Sequence, residues 1–378
     1  MKNEIFDPIR LTQLMVRAQT VNPPGNELEL ARTIQLLLDS LGLQTFIHEF
    51  EPGRANLVAY DSAGPEPRLC FTGHLDTVPF GGAAWRCDPT SGHIDGDRLF
   101  GRGASDMKSG IAAFIAALKR YRDRHEALPR VLLVLTAGEE TGCDGAKRLA
   151  ELDWSMHRVG AMIVGEPTGN QCAIGHKGAL WIDAQSFGRT AHGAMPELGE
   201  NAIYHAADAV QRLRTFDFRT PGDPLLGKPS FNVGTISGGL NVNSVPDRAS
   251  FSIDVRTVGG LDHATLLDDL GVYLGNKVTL RARVDVPPLL NAMDNAWLRQ
   301  ARDIVATVSG VSTNQTTVAY FSDGPVLRGL FGDVPAAIIG PGEPSCAHQT
   351  DEWVSVERIL QCTEIYERLL SEWYAPDV

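Results

Sequence analysis

The chain has 378 residues and a hydrophobic content of 43%, values typical of a soluble globular protein with more than one domain. Its formal net charge of −12 argues against a nucleic-acid groove or an anionic membrane surface as its partner. The residues after Met1 contain no apolar signal core, and no apolar run reaches the roughly 18 residues that a membrane helix needs.

The first part of the chain predicts strands separated by helices, which is the pattern of an α/β domain. Residues 7–43 have helical spacing interrupted by the turn Asn22-Pro-Pro-Gly, and residues 107–121 repeat their apolar side chains as a helix does. Residues 131–136 form a continuous apolar run, typical of a strand that is covered on both faces. The other strands of this domain are predicted at residues 56–60, 68–72, 98–100, 161–164 and 335–339.

The pattern changes near Gly178, where residues 180–188 alternate apolar and polar side chains like an antiparallel strand. A helix at 201–213, strands at 230–236 and 249–256, a helix at 263–274 and a strand at 277–284 follow. This order is that of a ferredoxin-like domain. Pro287-Pro288 is the predicted linker back to helices at 295–305 and 356–374. We therefore predict a discontinuous first domain, residues 1–177 and 288–378, with a second domain inserted at residues 178–287.

Five residues of the types that bind divalent metal ions each follow a predicted strand: His74, Asp106, Glu140, Glu166 and His348. Active sites of open α/β sheets form at the carboxyl ends of strands, so we expect these side chains to meet. Carboxylates and imidazoles suit zinc or a similar divalent ion. Five protein ligands exceed what one tetrahedral zinc ion takes, and they fit two ions that share a bridging carboxylate.

Two carboxylates next to these ligands have chemistry of their own. Asp76 follows His74 by two residues, so it could hold the far ring nitrogen of His74 and raise its basicity. Glu139 is adjacent to Glu140, and two neighbouring carboxylates are costly unless a cation neutralises them. One can bind metal while the other takes a proton from water. Each of these motifs alone is also common in ordinary turns and on surfaces.

The ordered motifs HxD, GRGxxDMK, EE, GEPT and AHQxDE resemble those of the dinuclear-zinc M20 peptidases, in the branch of acetylornithine deacetylase and succinyl-diaminopimelate desuccinylase. The resemblance covers nearly the whole chain. It implies a zinc-exopeptidase-like catalytic α/β domain with a mostly parallel central sheet, plus an inserted α+β ferredoxin-like lid and dimerisation domain. The roles it implies are a bridge between the ions for Asp106, one ion site for His74 and Glu166, the other for Glu140 and His348, the general base for Glu139, and support of His74 for Asp76.

Three residues of the inserted domain match family positions that act on the substrate. His192 resembles the lid histidine that reaches a partner subunit's active site and stabilises the oxyanion, which implies a homodimer formed through the lid. Asn243 matches a lid asparagine that contacts substrate. Arg256 matches the arginine that clamps the substrate's carboxylate, and its bidentate guanidinium suits that task. A solvated loop histidine and an ordinary salt bridge are the alternatives for His192 and Arg256.

The resemblance implies hydrolysis of the amide bond of a small N-acyl amino acid in amino-acid biosynthesis, as in acetylornithine deacetylases, with two ions of zinc, cobalt or manganese. Phe321-Ser-Asp-Gly-Pro325 has a proline where the desuccinylase branch has an arginine, which weakens the succinyl-diaminopimelate alternative. A dipeptidase or carboxypeptidase of the same family stays open. A metal-free binding protein on this fold would lack ligands or the base, whereas all of them are present. The six cysteines include no CxxC pair, which favours reduced thiols and a cytoplasmic location.

Overall fold

The computed structural model describes residues 4–62, 67–154, 157–292, 294–310 and 317–373. The chain divides into two compact units. Unit 1 contains Met1–Gly175, Leu290–Val318 and Ser322–Val378, and unit 2 contains His176–Leu289 and Ala319–Phe321. In the described part of the chain, no helix combines the length and the apolar character that crossing a membrane requires.

The strands and helices follow one another along both units. The strands are β1 (Gln44–Glu51), β2 (Arg54–Tyr60), β3 (Arg68–His74), β4 (His93–Asp95), β5 (Arg98–Phe100), β6 (Val131–Thr136), β7 (Val159–Val164), β8 (Gly175–His176), β9 (Gly178–Phe187), β10 (Ala191–His192), β11 (Ser230–Gly238), β12 (Ser244–Val245), β13 (Arg248–Thr257), β14 (Val278–Val286), β15 (Leu289–Leu290), β16 (Ala336–Ile338) and β17 (Trp353–Ser355). The α-helices are α1 (Pro8–Arg17), α2 (Leu28–Ser40), α3 (Ser109–His125), α4 (Asp144–Leu149), α5 (Ala202–Leu213), α6 (His263–Leu274), α7 (Ala296–Ser309), α8 (Gly324–Leu330) and α9 (Val356–Trp373).

Unit 1 has a central six-stranded sheet with the order β1-β2-β6-β3-β7-β16. The strands β6, β3, β7 and β16 are parallel, whereas β2 pairs antiparallel with both β6 and β1. Every residue of β3 and β6 is buried, as expected for strands covered on both faces. The predicted α/β fold with a mostly parallel central sheet is therefore confirmed.

Two helices of unit 1 pack close to the carboxyl ends of the parallel strands. Phe71 of β3 stacks on Phe114 of α3 with ring centroids 4.1 Å apart, and Tyr366 of α9 meets both rings edge-on. A Cβ atom added to Gly110 of α3 would lie 2.3 Å from the backbone oxygen of Gly165. Glycine at this position therefore lets α3 approach the loop that follows β7 more closely than a larger residue would.

A smaller sheet of unit 1, with the order β17-β5-β4, joins two distant parts of the sequence. Trp353 pairs with Phe100, and Ser355 pairs with Arg98. The segment after β5 and the segment before β17 therefore begin side by side, although about 250 residues separate them in the chain.

Unit 2 has an antiparallel sheet with the order β11-β13-β9-β14 and two helices, α5 and α6. Apolar residues of both helices share a core with the sheet: Ala206 and Leu213 of α5 and Leu266 and Leu270 of α6 pack with Ile182 and its neighbours. Counted along the chain, the sheet order is second-third-first-fourth, which is the ferredoxin-like arrangement. The expected α+β domain is confirmed.

The structure differs from the sequence prediction at several element boundaries. Helix α3 begins at Ser109 instead of Met107 because Asp106 and Met107 have non-helical backbone angles inside the short π-helical turn Ala104–Lys108. The sequence pattern did not predict β1, α4 and α8. The last predicted helix ends at Trp373 in the structure, and its predicted final residue Tyr374 lies outside the described residues.

Candidate metal centre

Three neighbouring strands bring most of the predicted ligands to one edge of the central sheet. His74 is the last residue of β3, Glu139 and Glu140 follow β6, and Glu166 follows β7. Because β6, β3 and β7 are parallel neighbours in the sheet, their carboxyl ends point the same way. Asp106 comes from the π-helical turn before α3.

The carboxylate of Asp106 lies between two histidines. Its Oδ1 is 3.1 Å from Nε2 of His74, and its Oδ2 is 3.2 Å from Nε2 of His348. The same nitrogen of His348 lies 3.1 Å from Oε2 of Glu140, and Nε2 of His74 lies 3.9 Å from Oε1 of Glu166. The structure thus brings all five predicted ligands together, although they are spread over about 270 residues of sequence.

The environment of these groups shifts their proton affinities. Burial raises the pKa of Glu139 and of Glu166 well above the usual range, and it raises the pKa of Glu140. Hydrogen bonds with Asp106 and Glu140 raise the pKa of His348 to about 10. Burial opposes protonation of His74, but its contacts with Asp106 and Asp76 hold its pKa well above the ordinary value.

These residues form a donor set that fits a divalent cation. Several carboxylates crowd around two imidazoles in a largely buried place, where their mutual repulsion and desolvation are costly without a cation. Oε1 of Glu139 is buried and has no hydrogen-bond partner among the residues that the structure describes. Oxygen and imidazole nitrogen are the donors that zinc and related divalent ions accept. The chain therefore contains a candidate metal site.

The contacts of Asp76 differ in detail from the sequence prediction. Nδ1 of His74 lies 2.9 Å from the backbone oxygen of Asp76 and 3.5 Å from its carboxylate, so the backbone is the closer partner. The carboxylate accepts the backbone N–H groups of Glu139 and Glu140 at 3.2 and 3.3 Å, and Nδ2 of Asn22 at 2.9 Å. Asp76 therefore connects His74 to the turn that carries both glutamates.

Sequence reasoning assigned no role to four buried polar residues near this centre: Asn22, Arg102, Asp323 and Glu352. Arg102 and Glu352 lie in the GRGxxDMK and AHQxDE motifs, and this is the only signal of them in the sequence. Asp323 accepts a hydrogen bond from the Thr136 hydroxyl at 2.5 Å, and burial raises its pKa to about 6. The negative charge of Asp323 is one of several causes that raise the pKa of Glu139, of which burial is the largest.

The predicted substrate residues His192, Asn243 and Arg256 lie in unit 2. His192 is exposed on β10, and its Nδ1 accepts the backbone N–H of Ala194 at 3.1 Å. The backbone oxygen of Asn243 accepts the N–H of Gly193 at 2.7 Å, so His192 and Asn243 are close neighbours. Nε of Arg256 lies 3.0 Å from Oδ1 of Asp254, which is the salt bridge considered as its alternative. The substrate roles of the three residues stay predictions.

Comparison with known proteins agrees with this architecture. The profile of Peptidase family M20/M25/M40 matches residues 70–372. The succinyl-diaminopimelate desuccinylase of Rhodospirillum centenum (strain ATCC 51521 / SW) is 31% identical over 98% of this chain and 98% of its own. The probable succinyl-diaminopimelate desuccinylase of Staphylococcus aureus (strain MRSA252) is 28% identical over 96% of each chain.

Two solved structures share the fold at lower identity. The M20 family metallo-carboxypeptidase Sso-CP2 from Sulfolobus solfataricus superposes with a TM-score of 0.83 at 18% identity, covering 96% of this chain and 98% of its own. The aminopeptidase PepT from Bacillus cereus ATCC 10987 has a TM-score of 0.74 at 20% identity, covering 98% of each chain. With the profile match and the desuccinylase relatives, these findings show that the chain belongs to Peptidase family M20/M25/M40 and is a metallohydrolase that acts on amides.

Proposed function

We propose that the chain uses two divalent ions to hydrolyse the amide bond of a small N-acyl amino acid. The observation that carries this proposal is the position of Asp106, whose two carboxylate oxygens face separate histidines at 3.1 and 3.2 Å. A carboxylate with one oxygen on each side suits a bridge between two ions. His74 and Glu166 would complete one ion's ligands, and Glu140 and His348 the other's. Zinc is the proposed metal, with cobalt and manganese as alternatives.

The bound ions would supply Lewis acidity toward the amide carbonyl and favour deprotonation of water. Glu139 is the proposed general base, since its Oε1 is buried and has no hydrogen-bond partner among the described residues. The proton of the attacking water passes to Glu139 and then to the nitrogen of the leaving amine. Burial raises the pKa of Glu139, and the positive charge of bound ions would lower it again, so that the carboxylate can accept the proton and later release it. The carboxylate of Asp76 accepts the backbone N–H of Glu139 and so helps to fix the position of Glu139.

Three residues of unit 2 have proposed roles toward the substrate. Arg256 would bind the carboxylate of the substrate. Its side chain contacts Asp254 and is still 28% exposed, so a second carboxylate can reach it. His192 would stabilise the oxyanion, with Asn243 beside it as a further substrate contact. We propose that unit 1 is the catalytic domain and that unit 2 is the lid.

The proposed homodimer forms through the lid, where the sequence suggests residues 180–188 and the helix after Asn201 as the self-complementary surface. Residues 180–187 belong to β9, which is paired with β13 on one side and β14 on the other, so this strand cannot extend the sheet into a partner. Strand β11 lies at the edge of the sheet, and the α5 side chains of Ile203 and Tyr204 are exposed. An edge strand and an apolar helix surface can each pair with their copy in a second chain.

Two observations favour different acyl groups on the substrate. The relatives' names favour a succinyl group, whereas Pro325 in place of the desuccinylase arginine favours a smaller or uncharged one such as acetyl. Dipeptides are the substrates of the alternative enzyme class. The six free cysteines suit a reducing compartment, and we propose a cytoplasmic location.

A substrate panel tests the proposal. The zinc-loaded protein would be assayed on acetyl-, succinyl- and formyl-amino acids and on dipeptides, and kcat/KM compared. We expect an N-acyl amino acid to be hydrolysed fastest. Faster cleavage of dipeptides would replace the deacylase by a peptidase, and hydrolysis of none of these amides by protein with bound zinc would remove the proposed substrate class.

A further inference from the structure

A buried ion pair lies behind the candidate metal centre and takes no part in the chemistry described above. Nη1 of Arg102 lies 2.6 Å from Oε2 of Glu352, and their side chains are 3% and 1% exposed. Arg102 follows β5 and Glu352 precedes β17, so the pairing of these two strands brings the residues together. A buried pair is weak evidence for stability, because desolvation offsets much of the attraction. We therefore infer the role of the pair from its other hydrogen bonds, which go to the backbone near Asp106 and His348.

Glu352 holds the turn that carries the central carboxylate. Its Oε1 accepts the backbone N–H of Ser105 at 2.8 Å and the backbone N–H of Asp106 at 3.0 Å. Both donors are part of the short turn whose backbone is non-helical at Asp106. Without Glu352, a buried and a partly buried N–H group would lose their acceptor, and the position of the Asp106 carboxylate would lose its support.

Arg102 holds the turn that carries the second histidine. Its Nη1 donates to the backbone oxygen of Gln349 at 3.2 Å, and its Nη2 donates to the backbone oxygens of Pro79 at 3.1 Å and His348 at 3.5 Å. His348 has a φ of 64°, in the left-handed region that non-glycine residues rarely adopt. The contacts of Arg102 with the carbonyl groups of His348 and Gln349 help to fix this conformation.

We propose that Arg102 and Glu352 are positioning residues that set the distance between Asp106 and His348, so that both can bind the same ion. This inference rests on the two-ion site proposed above. Glu352 accepts a hydrogen bond from the backbone of Asp106, and Arg102 donates one to the backbone of His348. Residues that orient metal ligands typically contribute 10–100-fold to metal affinity.

A second buried ion pair of unit 1 provides a matched control. Nε of Arg68 lies 2.9 Å from Oδ1 of Asp61, and these side chains are 8% and 3% exposed. Asp61 also contacts Arg130 and the backbone N–H of Val131, but no predicted metal ligand is among these partners. Removal of the Asp61 charge should therefore destabilise the fold without loosening the metal site.

The experiment measures the zinc affinity of folded, metal-free protein by competition with a chelator. We expect Glu352→Gln to bind zinc about 10–100-fold more weakly than the parent, while Asp61→Asn stays within about threefold, even though both variants melt at lower temperature. Arg102→Lys keeps the charge but loses the planar fork, so it should bind zinc more weakly than Asp61→Asn and serves as the second variant if Glu352→Gln does not fold. Saturating zinc should restore much of the kcat of each folded variant.

The outcomes separate this inference from the function on which it rests. If the parent binds two zinc ions and Glu352→Gln and Arg102→Lys bind them as tightly as Asp61→Asn does, the pair is only structural and the inference fails alone. If the parent binds no zinc, the two-ion proposal fails and the inference fails with it.

Discussion

Nδ1 of His74 lies 2.9 Å from the backbone carbonyl oxygen of Asp76, which fixes the ring so that Nε2 faces Asp106. The Asp76 carboxylate is left to accept the N–H groups of Glu139 and Glu140. The backbone of Asp76 therefore contacts a proposed metal ligand, whereas its side chain contacts the turn that carries the proposed base.

This division predicts the behaviour of Asp76→Ala, which removes the carboxylate and keeps the carbonyl. We expect kcat to fall about 10–100-fold because Glu139 loses its support, while the metal stoichiometry stays that of the parent. Steady-state kinetics and elemental analysis measure the two effects. His74→Ala is the contrasting variant, which should lose bound metal. Loss of metal from Asp76→Ala equal to that from His74→Ala would show that the carboxylate supports the ligand after all.

Adjacent glutamates should fail in different ways. Glu139→Gln removes the proposed base, so we expect kcat to fall about 10²–10⁴-fold with metal retained. Glu140→Gln removes a proposed ligand that lies 3.1 Å from His348, so metal affinity should fall first. Metal titration and kinetics on both variants compare them directly. A Glu139→Gln enzyme within a few-fold of the parent rate would exclude Glu139 as the base.

Arg256→Met should discriminate between substrates with and without a free α-carboxylate. Because the side chain is partly exposed, we expect an increase in KM of about tenfold for the acid, or about 1.4 kcal/mol. The corresponding amide should be affected much less. Arg283→Met is the control, since Arg283 is an exposed arginine of the same unit near Asp183. An equal effect of Arg256→Met on acid and amide would mean that Arg256 does not contact the carboxylate.

His176 should make the fold sensitive to acid. Burial lowers its pKa to about 4, against about 6.5 for an unfolded histidine. The folded state therefore binds fewer protons, so the stability contributed by neutral His176 is present above pH 6.5 and is lost as the pH falls toward 4. The loss approaches about 3 kcal/mol. Denaturant unfolding of metal-free protein at several pH values should show a steeper loss for the parent than for His176→Gln, and parallel curves would contradict this.

Subunit exchange tests whether His192 acts in a partner's site. In a mixed dimer of His192→Ala and Glu139→Ala, one site has both wild-type residues and the other has neither. Mixing the inactive variants should restore up to about a quarter of the parent activity, because half the dimers are mixed and half of their sites are intact. No recovery despite demonstrated exchange would place His192 in its own chain's site or outside catalysis.

The sequence predicted those parts of the protein that local patterns determine. The apolar run at β6 and the alternation in β9 identified buried and half-buried strands, and ligand-type residues after strands indicated one shared edge. The sequence did not predict which strands pair with each other, because strand order depends on long-range packing that periodicity does not record. The interior position of β9 and the edge position of β11 are examples.

Within the metal centre, the sequence pointed to side chains and missed backbone contacts. The carbonyl of Asp76 beside His74 and the N–H groups of Ser105 and Asp106 on Glu352 depend on turn geometry, which residue type alone does not specify. Arg102 and Glu352 belong to two different motifs that are about 250 residues apart in the chain. The pairing of β5 with β17 brings them together, and no local pattern records that pairing.

We propose above that one carboxylate, that of Asp106, joins two ions in one hydrolytic site. Elemental analysis of metal-saturated protein measures this most directly, after unbound metal has been removed. We expect two divalent ions per chain in the parent. One ion per chain in a fully active protein would contradict the two-ion site, and no bound metal in an active protein would contradict the metal centre itself.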